Sequence, residues 1–287
     1  MRIEVKNLSY VYSEKSASLA VHALKDVSLT IPEGSFFGIV GRTGSGKSTF
    51  IQHLNGLLKI GKNKGTIRIG EFDLSDKKCD FKALRSKIGM VFQYPEYQLF
   101  AETVEADVSF ALKNFFPKME EKERAEKVKK AITLVGLDYD KVKDKSPFDL
   151  SGGQKRRVAI AGVLVSNPEI LVLDEPIAGL DPQGKREFTA LIHALHKSVV
   201  KTVVIVSHDM DFVAENCDNV AIFDDGKIMK TGTPKEIFSD KRSIESFGLK
   251  LPLTAEVLIE LSLYGETENL KEDTVVSLIG KKYGGGL

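Results

Sequence analysis

Val27, Leu29 and Ile31 alternate with Ser28 and Thr30, the two-residue period of a strand with one wet face. Pro32-Glu33-Gly34 turns the chain into Phe36-Phe37-Gly38-Ile39-Val40, an apolar run that predicts a buried strand. Beyond it the period lengthens, with Phe50, Ile51, Leu54, Leu57 and Leu58 at helical spacing. Residues 1–35 therefore read as antiparallel strands, with a polar loop from Ser13 to Ser18. Gly65–Gly70 with Phe72–Leu74 reads as another strand pair, and Lys87–Gln93 as a strand ending on an amide. Over 95–157 the pattern turns helical. Tyr94-Pro95-Glu96 breaks the strand and a helix runs through Thr103–Val108. The charged segment Lys118–Lys130 keeps Val128, Ala131, Ile132 and Val135 on one side, and Gly136 suits a C-cap. Ile170–Leu173 and Thr202–Val206 predict two more buried strands, and Asp224-Asp225-Gly226 a hairpin turn before Lys227-Ile228-Met229. From about Asp240 the α/β rhythm stops. Short helical patterns cover 255–263 and 273–280, and the end is glycine-rich at Gly284–Gly286.

Composition narrows the class. The 287 residues are 42% hydrophobic and 28% charged, as in a globular protein with a sizeable core. A formal net charge of +1 gives no global field toward nucleic acid. Cys79 and Cys217 have no metal-ligand spacing and read as thiols in a reducing compartment. The start Met1-Arg2-Ile3-Glu4-Val5 does not resemble a signal peptide, and no apolar run approaches the roughly 18 residues of a membrane helix. The expectation is a soluble or peripheral protein whose membrane role, if any, needs partners.

The chemistry centres on Gly41-Arg42-Thr43-Gly44-Ser45-Gly46-Lys47-Ser48-Thr49, which reads G-x-x-x-x-G-K-S between a buried strand and a helix. Glycines let the backbone wrap a polyphosphate with its N–H groups inward, and the helix start adds positive potential. Lys47 supplies a mobile cation, and Ser48 a hydroxyl for Mg²⁺. Gln93, at a strand end, reads as a reach toward a metal or water, or as a surface amide. Leu150-Ser151-Gly152-Gly153-Gln154 opens a second helix with glycines, either another anion site or an ordinary cap. Asp174-Glu175 closes a buried strand; the first carboxylate suits Mg²⁺ and the second an attacking water. His208 directly follows the next buried strand and suits a terminal phosphate, while His22, His53, His193 and His196 are assigned to surface or core packing. Tyr12 and Tyr10 are candidates to stack on a base, or strand tyrosines with wet hydroxyls.

Taken in order, these residues resemble the ATP-binding cassette family of transport ATPases over nearly all of residues 1–240. Gly41–Thr49 is similar to the Walker A loop, Ile170–Asp174 to the Walker B strand and Leu150–Gln154 to the signature loop. Gln93 matches the Q-loop glutamine, Ala178–Asp181 the D-loop, His208 the switch histidine and Tyr12 the adenine-stacking aromatic. The resemblance implies an α/β P-loop NTPase (RecA-like) core in residues 1–240. To this it adds an antiparallel β subdomain and a helical insertion at 95–157. The small helical appendage at 241–287 reads either as a contact with a partner ATPase or as a cap on this chain's own core. The resemblance implies ATP and Mg²⁺ as cofactors, with Mg²⁺ near Ser48, Gln93 and Asp174, and Glu175 polarising the hydrolytic water. It also implies that two cassettes pair head to tail. Ser151, Gly152, Gly153 and Gln154 then serve the ATP held by the partner.

A narrower resemblance is to the energy-coupling factor branch. It rests on Gln93–Phe100, Glu102–Val108 and the run Gly152–Leu164, where Gly162-Val163 replaces the arginine-alanine of most transport cassettes. This implies an importer of vitamins or transition-metal ions, with a second, often different ATPase, a transmembrane coupling protein and a substrate-binding membrane subunit. The chain then sits peripherally at the cytoplasmic face of the membrane and looks more like the second ATPase of such a pair. Glu96, Glu102, Glu105 and Asp107 read as candidates to meet basic coupling helices, or as a solvated acidic face. Ile177 departs from the family's threonine or serine after Asp174-Glu175-Pro176. The alternatives are a homodimeric cobalt or nickel importer ATPase and, in another class, a soluble cassette ATPase acting on nucleic acid.

Overall fold

The computed structural model describes residues 1–12 and 20–283, so the loop expected over Ser13–Ser18 and the glycines at 284–286 lie outside the described residues. In chain order the elements begin with β1 (Ile3–Tyr12), β2 (Val21–Ile31), β3 (Phe36–Gly41) and α1 (Lys47–Leu54). There follow β4 (Thr66–Ile69), β5 (Phe72–Asp73), α2 (Phe81–Lys87), β6 (Ile88–Val91), α3 (Val104–Phe115), α4 (Glu121–Leu134), α5 (Tyr139–Val142) and α6 (Gly152–Leu164). Next come β7 (Ile170–Asp174), α7 (Pro182–Ser198), β8 (Thr202–Val206), α8 (Met210–Asn216), β9 (Asn219–Asp224) and β10 (Lys227–Gly232). The chain finishes with α9 (Pro234–Ile237), α10 (Lys241–Ser246), α11 (Leu253–Glu260) and α12 (Glu272–Tyr283).

The chain divides into two compact units. One holds Met1, 51–59 and 69–204; the other holds 2–50, 60–68 and 205–287. In the first, the strand order is β8-β7-β6. β6 and β7 run parallel from Ile88 opposite Ile170 to Val91 opposite Leu173, and every residue of both is buried, as a two-sided parallel strand requires. The helical insertion lies wholly in this unit, where α3, α4 and α6 pack on one another. Thr103 caps α3, its hydroxyl accepting from the Ala106 N–H at 3.2 Å. α4 buries Val128, Ala131 and Ile132 and exposes most of its charges, as its sequence pattern predicts, but the Arg124 side chain is only 11% exposed. The Gly162-Val163 pair also has a packing reason. Val163 fills the space above Gly89 of β6 (a Cβ there would meet its Cγ1), so α6 lies flush on the sheet.

In the second unit β1 and β2 pair antiparallel from Ile3 opposite Ile31 to Tyr12 opposite Val21, with register shifts between Val5 and Val11. β3 runs parallel to β9, from Phe37 opposite Asn219 to Gly41 opposite Phe223, and β10 returns antiparallel to β9. β3 is buried throughout. The Phe50 and Phe223 rings, with centroids 5.2 Å apart, pack α1 onto β9. α11 and α12 match the short helical patterns near the C-terminus; α9 and α10 were not evident from spacing. The segment 241–287, expected as an appendage, is part of this unit.

Candidate nucleotide site

In the second unit β3 delivers Gly41 into the loop and α1 begins at Lys47. Gly41 (φ 150°) and Gly46 (φ 103°) adopt positive φ, and a Cβ at either would run into a carbonyl, of Phe223 or Ala23. Lys47 is nearly buried, 8% exposed, and its Nζ donates to the carbonyls of Gly41 at 2.7 Å and Arg42 at 2.8 Å. The loop is braced from outside. The Gly226 N–H in the β9–β10 turn donates to Ser45 O at 3.0 Å, and the Lys25 N–H of β2 donates to Gly226 O at 2.8 Å. Lys25 Nζ pairs with Asp225 at 2.6 Å. The sequence shows the hairpin, but its role as a brace appears only in the fold.

Tyr12, at the end of β1, is 42% exposed, and its hydroxyl lies 3.3 Å from Thr49 Oγ1 on α1. Tyr10 packs edge-on behind it, ring centroids 4.9 Å apart and planes at 85°. The fold therefore brings Tyr12 to the phosphate loop and makes Tyr10 its support. Beyond β8, the Ser207 N–H donates to Ile39 O at 3.2 Å, so the exposed His208 leaves a strand end beside β3. Asp209 caps α8, accepting from the Phe212 N–H at 3.0 Å.

In the first unit Asp174 closes β7 and is 8% exposed. Glu175 follows with φ 49°, a left-handed conformation uncommon outside glycine and frequent at functional sites. Ile177 is 2% exposed. At this position the chain fills the core with an apolar side chain instead of presenting a hydroxyl. Gln93 is exposed, two residues beyond β6. Ser151 to Gln154 are all exposed. Ser151 and Gln154 form a capping box: the Ser151 hydroxyl accepts from the Gln154 N–H at 3.3 Å, and Gln154 Oε1 accepts from the Ser151 N–H at 3.1 Å. A Cβ at Gly152 or Gly153 meets nothing within 4 Å among the described residues. Among the described residues no neighbouring contact there demands glycine.

The acids read as coupling candidates divide. Glu96 accepts from Arg156 Nε and Nη2 at 3.1 and 3.2 Å, and Arg156 also donates to Pro176 O at 3.2 Å. This nearly buried guanidinium (side chain 8% exposed) ties the segment after β6, α6 and the segment after β7. Spacing alone did not reveal it. Glu105 accepts from the Tyr139 hydroxyl at 2.7 Å; burial, then that acidic partner, pushes the Tyr139 phenol up to about 12. Asp107 accepts from the Phe100 and Ala101 N–H groups at 2.9 Å each. Glu102 is exposed, and so are Tyr97 at 84%, Phe100 at 59% and Phe110 at 50%.

The family model for ABC transporters matches residues 24–178. The energy-coupling factor transporter ATP-binding protein EcfA2 of Clostridium tetani is 46% identical over 265 residues, 92% of this chain and 90% of that protein. The chain belongs to the ABC transporter family, in its energy-coupling factor branch. Another EcfA2, from Lacticaseibacillus paracasei, is 44% identical across 100% of this chain and 99% of that protein. Among solved structures, cbiO1 from Clostridium perfringens, part of the ABC transporter complex cbiONQ, shares 39% identity. It superposes with a TM-score of 0.73, covering 90% of this chain and 98% of that one. The ATP-binding cassette MJ0796, solved as a dimer in a post-hydrolysis state with ADP and Pi, shares 32% identity with a TM-score of 0.70. It covers 81% of this chain and 98% of that one. The fold is that of ABC ATPases, as its sequence motifs imply, and this energy-coupling factor protein is an ATPase.

Proposed function

We propose that this ATPase is one of two cassettes that power an energy-coupling factor importer from the cytoplasmic face of the membrane. ATP is held by Gly41, Arg42, Thr43, Gly44, Ser45, Gly46, Lys47, Ser48 and Thr49, with Tyr12 stacked on the adenine. Ser48, Gln93 and Asp174 offer only oxygen donors, the set Mg²⁺ prefers, and would hold the ion that neutralises phosphate charge. Glu175 takes a proton from the attacking water, and His208 hydrogen-bonds the terminal phosphate. Ser151, Gly152, Gly153 and Gln154 complete the partner's site. The observation that supports the pairing is the exposed start of α6, whose glycines leave space that is open among the described residues.

The membrane coupling protein docks on the exposed surface of Tyr97, Phe100, Phe110 and Glu102. The internal bonds of Glu96, Glu105 and Asp107 leave Glu102 as the one of the four acids offered to it. The second ATPase contacts α12, which exposes Val276 and Tyr283, and a separate membrane subunit selects the solute, a vitamin or other micronutrient.

Purification from native membranes with identification of co-purifying chains tests this reading. A different cassette, a coupling protein and a substrate-binding subunit are expected. Recovery of this chain alone as a dimer would favour a homodimeric cobalt or nickel importer ATPase. Nucleic-acid-stimulated turnover without membrane partners would overturn the reading.

A further inference from the structure

Arg42 belongs to the phosphate loop, yet its guanidinium reaches the C-terminal segment. Its Nε donates to Phe247 O at 2.7 Å and its Nη2 to Ser246 O at 2.8 Å. These carbonyls end α10, where helix geometry leaves acceptors without intrahelical donors and cationic side chains fit well. Gly248 follows with φ +63°, and a Cβ there would run into Arg42 Nε. The glycine thus permits both the turn and the approach of the guanidinium. The main-chain carbonyl of Arg42 accepts from Lys47 Nζ at 2.8 Å and from the Ser45 N–H at 3.1 Å. One residue therefore joins the loop's cation to α10. The same segment is held from α8, the helix after His208. Asp211 accepts from the Leu253 N–H at 2.6 Å at the start of α11, and Glu215 from the Glu272 N–H at 2.7 Å at the start of α12.

We propose that Arg42 is a positioning residue: its anchor on α10 fixes the carbonyl shared by Lys47 and Ser45, which makes residues 241–287 a working part of the nucleotide site. The proposal rests on the reading of Gly41–Thr49 as the ATP site. It gives the segment a role within its own chain, whatever contact it makes with another ATPase. Loss of the anchor lets the loop relax and weakens nucleotide binding, although the guanidinium itself bonds the α10 carbonyls.

The test is a double-mutant cycle on the full-length chain, reading the Kd of a fluorescent ATP analogue. Arg42→Ala removes the fork. Gly248→Asn displaces it from outside the loop, with a residue that tolerates left-handed φ. Each is expected to raise the Kd about tenfold or more, on the scale of a lost charged hydrogen bond. The double variant is expected to lose no more than the larger single one. Arg42→Lys should recover only part, because an ammonium lacks the planar fork that serves both carbonyls. An unchanged Kd in a folded Gly248→Asn chain, shown by an unaltered circular dichroism spectrum, would overturn the proposal; so would effects that multiply. Absence of nucleotide binding by the wild-type chain would instead overturn the ATP-site reading, and this inference with it.

Discussion

At the start of α1, Gly41 and Gly46 stand where a side chain would meet the Phe223 and Ala23 carbonyls; at the start of α6, Gly152 and Gly153 face open space. The first loop encloses a nearly buried lysine and is braced by the β9–β10 turn. The second is exposed across Ser151–Gln154 and is closed by its own capping box. Both are anion-attracting helix starts, but one is crowded by its own chain and the other is open among the described residues. The difference teaches that glycine in a phosphate-type motif has two physical causes. One is internal crowding. The other, on the proposed pairing, is room for a partner's ligand.

The comparison can be broken most forcefully at Glu175. Glu175→Gln should lower steady-state ATP turnover by about 10²–10⁴-fold while ATP stays bound and the paired state persists in size-exclusion experiments. Surviving turnover would remove Glu175 from the base role and leave the open α6 start without its proposed occupant. Next in size, Arg156→Ala strips the nearly buried counter-charge of Glu96 from the back of α6. A loss of about 3–5 kcal/mol in denaturant unfolding is expected, whereas Arg156→Met with Glu96→Leu should restore most of it.

The two glycine sets can then be exchanged for alanine directly. Gly46→Ala should weaken nucleotide binding by about tenfold or more, equivalent to roughly 1.4 kcal/mol, because the loop cannot keep its path. Gly153→Ala should leave the isolated chain as stable or up to about 1 kcal/mol more stable, and yet cut turnover of the assembled pair. If Gly153→Ala also unfolds the chain, the contrast between crowded and open glycines is wrong. Ser151→Ala, which removes the cap, should cost about 1 kcal/mol in thermal unfolding.

The smallest effect lies outside both helix starts, at Glu169. Burial would raise its carboxyl, but hydrogen bonds from Lys201 and then Lys87 outweigh that and hold it below the usual carboxylate range. A carboxylate lowered on folding adds stability that is full above its unfolded pKa and fades as pH falls through the folded one. Glu169→Gln should therefore lower the melting temperature slightly near neutral pH and leave it unchanged in strong acid. An equal drop at both would discount the two ion pairs.

Much of the site is legible in the sequence. The order of strand, glycine loop and helix at 36–58 follows from local period and from glycine's freedom at positive φ. The Ser151–Gln154 box spans four residues, so its partners are adjacent in any helix start. The branch-specific Gly162-Val163 is visible too, though its reason, the fit of Val163 against Gly89, is not. The acids after Tyr94 show the limit. Charge pattern alone leaves Glu96, Glu102, Glu105 and Asp107 equivalent, but Glu96 meets a guanidinium 60 positions away and Glu105 a phenol 34 away. Ile177 reads as a missing hydroxyl until its burial shows a core position.

The sequence by itself determined which segments are candidates to bind phosphate, since the glycine loops and helix starts that suit an anion are set within a few residues. Only the tertiary structure decided which charges are engaged inside the chain and which face outward. It also decided that Arg42, 205 positions from Phe247, joins the nucleotide loop to the C-terminal segment. Hydrogen bonds reach about 3 Å whatever the separation along the chain, so partners like these exist only once the fold has brought them together.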